Sequence, residues 1–221
     1  VVLVTALDDR EAKIKGIDAG ADDFITKPPN KMELLARSKS LIKLKRLNDN
    51  LASVEYVLFS LARTVEAKDK YTKGHVERVA KMAIILGRNM GLNESEMEAL
   101  RFGGILHDIG KITIPEYILN KPGPLKPEEA EVMKSHPVAG YDICLPLKKN
   151  LGQALDVIRQ HHEKLDGSGY PDGLKNEDIS IASRIMAVVD IFDALVTNRA
   201  YREGLSFDRA VEILRQEVKK E

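Results

Sequence analysis

The sequence predicts a mainly α-helical protein with a short α/β stretch at its start. Two observations carry this. From about Leu61 onward, apolar residues recur at three- and four-residue steps between Gly- and Pro-containing loops, with no strand alternation and no repeat. Ahead of that lie two short apolar runs, Val1 to Ala6 and Asp22 to Thr26, separated by one helix-length polar segment. The 221 residues, 43% hydrophobic and 31% charged, have an ordinary globular composition. They allow one large domain, or a medium domain plus a fragment.

Each early element has its own signal. Val1 to Ala6 reads as a buried strand. Asp8 and Asp9 can cap a helix running to about Ala19, which Gly20 can end. Asp22 to Thr26 reads as a second strand, stopped by Lys27-Pro28-Pro29, and a helix starts near Asn30. Two strands alone cannot make a stable doubly wound sheet. The stretch resembles the last third of a response-regulator receiver domain. Thr5 matches the Thr or Ser that ends that family's fourth strand, and Lys27-Pro28 matches the Lys and Pro closing its fifth. The resemblance covers about residues 1–45 and implies that the phosphate-accepting Asp and its acidic pocket belong upstream. As given, this piece is not expected to act as a phosphorylation switch, and the chain reads as part of a longer regulator.

Leu44, Leu47, Leu51, Val54, Leu58, Leu61 and Val65 then fall at alternating three- and four-residue steps, an unbroken heptad seam. A helix pairing with its own copy is expected over residues 41–55, whereas the second half, 56–65, is expected to pack into the next domain's core. The expected division is 1–42 for the receiver fragment, 43–60 for a linker or coiled-coil helix, and 61–221 for the helical domain.

Composition narrows the function. No apolar run approaches the ~20 residues that span a bilayer, and no basic leader with a cleavage site opens the chain. The single cysteine, Cys144, excludes an internal disulfide framework, so a cytoplasmic location is expected. Lys plus Arg and Asp plus Glu both total 34, leaving no global field to recruit a nucleic-acid polymer or an anionic membrane. An anionic ligand would have to be held by local charge or by metal.

The chain's five histidines all lie near a helix or its end, on or beside an apolar stripe. His75 precedes Val79, Met82 and Leu86. Asn93 and Glu96 form a capping box for a helix in which Met97, Leu100, Gly104 and His107 share one face, with Asp108 next. Pro127, Glu128 and Glu129 open a helix expected to end at His136, just before Pro137. Leu151, Ala154, Ile158 and His161 line another face, with His162 adjacent, and the run from Ile185 to Asp193 lies in what is expected to be the last helix, an apolar run interrupted by Asp190 and Asp193. A buried carboxylate costs several kcal/mol unless it is paired or bound to a cation. No Lys or Arg lies one turn from Asp190 on its own helix. A shared metal centre accounts for these placements together. Imidazole and carboxylate without thiolate suit iron, manganese, cobalt or zinc, and argue against calcium.

The ordered set His75, His107-Asp108, His136, His161-His162 and Asp190 resembles the HD superfamily of phosphohydrolases. The segment from His161 through Gly169-Tyr170-Pro171 is similar to the signature of its HD-GYP family. Asp190 to Leu195 and Arg199 to Arg202 match that family's closing element, over about residues 55–215 in all. The segment from Ile181 to Glu221 stops short of the family's usual final helices. The resemblance implies an HD-type all-α domain that hydrolyses cyclic di-GMP to linear pGpG, often on to GMP, as the output of a response regulator. It implies two divalent transition-metal ions, iron or manganese, with a bridging water or hydroxide. One ion would be held by His75, His107, Asp108 and Asp190, the other by Asp108, His136, His161 and His162. Lys111 would meet a phosphate oxygen, Tyr170 would stack on or hydrogen-bond the ligand, and Arg199 and Arg202 would bind substrate phosphate. Asp193 is assigned to substrate or to orienting a ligand, and Asp166 to capping the signature loop. Gly169 and Pro171 shape that loop.

Some relatives carry a glutamate one turn before the first histidine and hold a third ion. Tyr71 stands there instead, and Glu66 and Asp69 are expected about two turns away, which favours a binuclear centre. A homodimer through the linker helix and signalling-protein partners are the further expectations. Two alternatives stay open: a cyclic di-GMP-binding module with little turnover, and an HD phosphohydrolase acting on another nucleotide.

Overall fold

A computed structural model describes residues 1–6, 10–69, 74–198 and 203–218, with backbone alone at 10–13, 48, 50–55, 217 and 218. The chain divides into two units, Val1–Val57 and Leu58–Glu221. In the first, β1 (Val2–Thr5) and β2 (Asp23–Thr26) pair in parallel with Val2 opposite Asp23, joined by α1 (Arg10–Asp18). Helix α2 (Lys31–Lys68) begins where Asn30 Oδ1 accepts the backbone N–H groups of Met32 and Glu33 at 2.8 and 3.3 Å, an N-cap. Arg37 on α2 grips Asp23 on β2 through both carboxylate oxygens.

The seam on α2 does not run on unbroken into the second unit. Leu61 is 52% exposed, whereas Ala62 and Val65 are buried and Leu58 packs beside them. The buried stripe is thus Leu58, Ala62 and Val65, the spacing of a helix laid on a globular core.

Among its described residues the second unit forms helices and no strand: α3 (His75–Asn89), α4 (Glu94–Leu106), a 3₁₀ turn (Ile109–Thr113), α5 (Glu116–Leu119), α6 (Pro127–Lys134), α7 (His136–Cys144), α8 (Lys148–Leu151), α9 (Ala154–Gln160), α10 (Ile181–Val196) and α11 (Phe207–Val218). Helix α4 is central and packs on α3, α9 and α10. Val79, Ala83, Leu100, Val157 and Met186 fill one core on this layer. Leu106, Ile109, Leu155 and Ile158 fill a second, onto which α2 lays Ala62 and Val65. Asn93 and Glu96 cap α4 reciprocally, at 3.0 and 2.9 Å. Among the described residues no helix is long and apolar enough to cross a membrane.

Two expectations are corrected. His136 does not end a helix: α6 stops at Lys134, and His136 opens α7 with Pro137 in its first turn, where a proline's missing N–H is harmless. The helix bearing Asp190 is followed by another, α11.

Candidate metal centre

The histidines and Asp108 lie at helix ends, and Asp190 lies within a helix. His75 starts α3 directly after Gly74, which adopts a left-handed φ of 74°. His107 closes α4, and Asp108 follows at the start of the 3₁₀ turn. His136 starts α7, His161 closes α9 with His162 next, and Asp190 lies within α10. The chain turns sharply at these points, so side chains from distant helices converge. Gly110 makes the closest approach possible. A Cβ there would sit 1.9 Å from the His136 carbonyl oxygen and 2.5 Å from Gly140 N.

The histidines form two groups, His75 and His107 with Asp108, and His136, His161 and His162. Asp108 faces both. Its Oδ2 lies 3.5 Å from His107 Nε2 and 3.7 Å from His75 Nε2, while its Oδ1 lies 3.4 Å from His136 Nε2. Asp190 Oδ1 is 3.4 Å from His75 Nε2. The outer ring nitrogens are fixed by hydrogen bonds. The Nδ1 of His107, His136 and His161 each donates to the carbonyl three residues earlier, Gly104 at 3.1 Å, Met133 at 2.8 Å and Ile158 at 2.9 Å. His75 Nδ1 instead meets Asp193 Oδ2 at 2.8 Å. With the proton at Nδ1, each Nε2 presents a lone pair inward. His75 and His107 then bring their Nε2 atoms within 3.2 Å, as do His136 and His161. Converged lone pairs repel unless a cation or proton sits among them, so the donor set fits divalent metal.

The electrostatics agree. Burial lowers the pKa of His107 and His136, and carries His161 well below the ordinary value. Burial and His136 bring His162 down to about 4. These four rings are therefore neutral near pH 7, the state that ligates a metal. Burial opposes charge on His75, but the bond to Asp193 and the charges of Asp108 and Asp190 outweigh it and raise its pKa. Burial likewise opposes ionisation of Asp108, yet Lys111 and the surrounding histidines hold it well below the carboxylate range.

Lys111 Nζ reaches Asp108 Oδ2 at 2.7 Å. Tyr170 stacks on His162 with centroids 4.8 Å apart, and Lys134 lies over its ring at 5.9 Å. A cavity of about 310 Å³ opens over the centre, lined by Asp108, Lys111, His162 and Tyr170 and walled by apolar Leu125 and Met133. Asp166 caps its loop as expected, accepting Ser168 N–H at 2.8 Å. Asp193 follows the second of its two readings, orienting a ligand candidate, and not the first. It is 2% exposed, and both its oxygens are engaged, by Arg78 at 2.6 and 2.9 Å and by His75. It therefore serves His75, not a substrate phosphate. Arg199, Arg202 and Tyr71 lie outside the described residues.

Three contributors escaped the sequence reading. Arg78 anchors Asp193. Glu163, 5% exposed, gathers the backbone N–H groups of Asp172, Gly173 and Leu174 at 2.6 to 3.1 Å and so ties down the loop bearing Tyr170. Asp69 is not on a helix with His75, because α2 ends at Lys68; it is 8% exposed and lines the same cavity. The polar sequence around Asp69 gave no signal, but the His-His-Glu run could have flagged Glu163.

Residues 60–221 match the family described as HD domain. The chain is 37% identical over 235 residues to the cyclic di-GMP phosphodiesterase response regulator RpfG of Xanthomonas campestris pv. campestris, across 97% of this chain and 62% of that protein. It is 43% identical over 148 residues to the 3'3'-cGAMP-specific phosphodiesterase 2 of Vibrio cholerae, across 66% of this chain and 28% of that protein. A solved HDG"Y"P protein from Bdellovibrio bacteriovorus superposes with a TM-score of 0.55 at 26% identity, over 65% of this chain and 45% of that one. The chain thus spans less than two thirds of the length of these curated relatives.

Proposed function

The chain belongs to the HD-domain family, and from that premise we propose that it is a metal-dependent phosphodiesterase of the HD-GYP type that opens cyclic di-GMP to linear pGpG, with GMP as a further product. HD domains bind divalent metal, and the His/Asp clusters for it are present. The observation that carries the reading is Asp108, with one carboxylate oxygen turned to each histidine group. Two ions, iron or manganese, are proposed. His75, His107, Asp108 and Asp190 would hold one, and Asp108, His136, His161 and His162 the other. Bound there, they would supply an activated water and neutralise the phosphodiester oxygens as charge builds.

The chain's own groups do the rest. Lys111 presents its ammonium to a non-bridging phosphate oxygen, and Tyr170 offers a ring and hydroxyl at the cavity wall. Arg199 and Arg202 are assigned to substrate phosphate by the family match. Asp193, held by Arg78, keeps His75 in one tautomer. We further assign residues 1–42 to a receiver fragment, 43–60 to a linker helix that dimerises through Leu44, Leu47 and Leu51, and the output to a cytoplasmic two-component pathway that engages signalling partners.

A second substrate reading has support of its own, the 43% identity to a 3'3'-cGAMP phosphodiesterase over the domain that carries the site. Turnover of cyclic di-GMP, 3'3'-cGAMP and a nitrophenyl phosphodiester, followed by chromatography on one manganese-loaded sample, decides between them. Linear pGpG formed at the highest kcat/KM upholds the proposal. Preference for 3'3'-cGAMP transfers it to that substrate, and inertness towards all three refutes a phosphodiesterase.

A further inference from the structure

We propose that Asp69 is the second seat of the Lys111 ammonium, a positioning residue that keeps this cation aimed into the cavity once metal engages its first partner. The inference rests on Asp108 being a metal ligand. Lys111 Nζ lies 2.7 Å from Asp108 Oδ2 and 3.6 Å from Asp69 Oδ2. Asp108 Oδ2 is the oxygen turned towards His75 and His107. A lysine ammonium and a divalent cation compete for that oxygen, and their like charges repel at such a distance. Metal loading therefore weakens the shorter ion pair, and a largely buried ammonium needs another counter-charge.

Asp69 is placed to provide it. It is 8% exposed and lines the cavity that Lys111 lines. Glu66 accepts Val76 N–H at 3.0 Å at the start of α3, Asp193 is held by His75 and Arg78, and Asp190 Oδ1 lies 3.4 Å from His75 Nε2. Asp69 is also fixed relative to Lys111. Its N–H bonds the Glu66 carbonyl at 3.0 Å. Lys68, next to it, donates to the carbonyls of Ile112 and Ile114 at 2.9 and 2.6 Å, in and just after the turn that carries Lys111. Asn120 Nδ2 donates back to the Lys68 carbonyl at 2.9 Å. The end of α2 is thus pinned to the turn that carries Lys111 and to the segment that follows it, which holds the Asp69 backbone near the ammonium.

The test is a double-mutant cycle on the metal-loaded chain with Asp69→Asn, Lys111→Met and the pair. In thermal unfolding, the double variant should lose about 2 °C less than the sum of the single losses. In turnover of cyclic di-GMP, Asp69→Asn should lower kcat/KM about tenfold at unchanged bound metal, and less than about twofold further in the Lys111→Met background. Additive losses in unfolding overturn the proposal. So does metal stripped by Asp69→Asn, which would make Asp69 a ligand. A wild-type protein inert towards cyclic dinucleotides refutes the phosphodiesterase reading, and the unfolding cycle then still decides whether Asp69 seats Lys111.

Discussion

His75 enters the centre with its outer nitrogen bonded to Asp193, and Asp193 is clamped in turn by Arg78. Burial opposes its charge, but the bonds from His75 and Arg78 bring its pKa down to about 2, so it is a carboxylate at any working pH. Asp193→Asn keeps the shape and removes the charge, leaving His75 less basic and free to take the wrong tautomer. Metal affinity should fall about 10- to 100-fold with the fold intact, measured by competitive metal titration with circular dichroism as control. At this scale the clustered histidines were legible because each interrupts or ends an apolar stripe, where an uncompensated polar group is costly. Arg78 and Asp69 were not, since a charged residue beside a helix end looks like part of a solvated face. Only the chain's return across α10 for Arg78, and across the 3₁₀ turn for Asp69, gives them partners.

The 3₁₀ turn shows how an element can be dictated by a contact that leaves no periodic trace. Gly110 follows Ile109 on the turn, and α7 crosses it so closely that any side chain would collide with backbone, at 1.9 Å from the His136 carbonyl and 2.5 Å from Gly140 N. Backbone atoms cannot rotate away as a side chain does. Gly110→Ala should therefore cost about 2–4 kcal/mol in urea unfolding and displace His136, lowering metal content in whatever folds. Unchanged stability and metal content would show that the helices slide apart without cost. The capping box of α4 was readable because its signal is local. The break between α6 and α7 was not, because Pro137 fits the first turn of a new helix as readily as it marks the end of an old one. Leu61 misled for a related reason. Heptad and helical spacing differ by little over two turns, and the buried stripe chose Ala62.

At the scale of the whole molecule, the second unit gathers its centre from segments spread between His75 and Asp190, the histidines and Asp108 at helix ends and Asp190 within α10. The order of those residues along the chain, with the resemblance it carries, made the helical architecture and the clustering of these histidines and carboxylates legible. The cavity wall of Leu125 and Met133 and the anchor Glu163 arise from packing between segments, which order does not encode. The central claim is that Asp108 joins two cations whose joint action cleaves a phosphodiester. It is tested most directly by metal analysis of purified wild-type protein and Asp108→Asn, with linear dinucleotide formation followed on the same samples. The account predicts about two transition-metal ions per wild-type chain, and a variant that loses activity together with metal, because an amide carries no charge and bridges poorly. A metal-free wild-type protein that still cleaves cyclic di-GMP, or an Asp108→Asn variant with full metal and full activity, would contradict it.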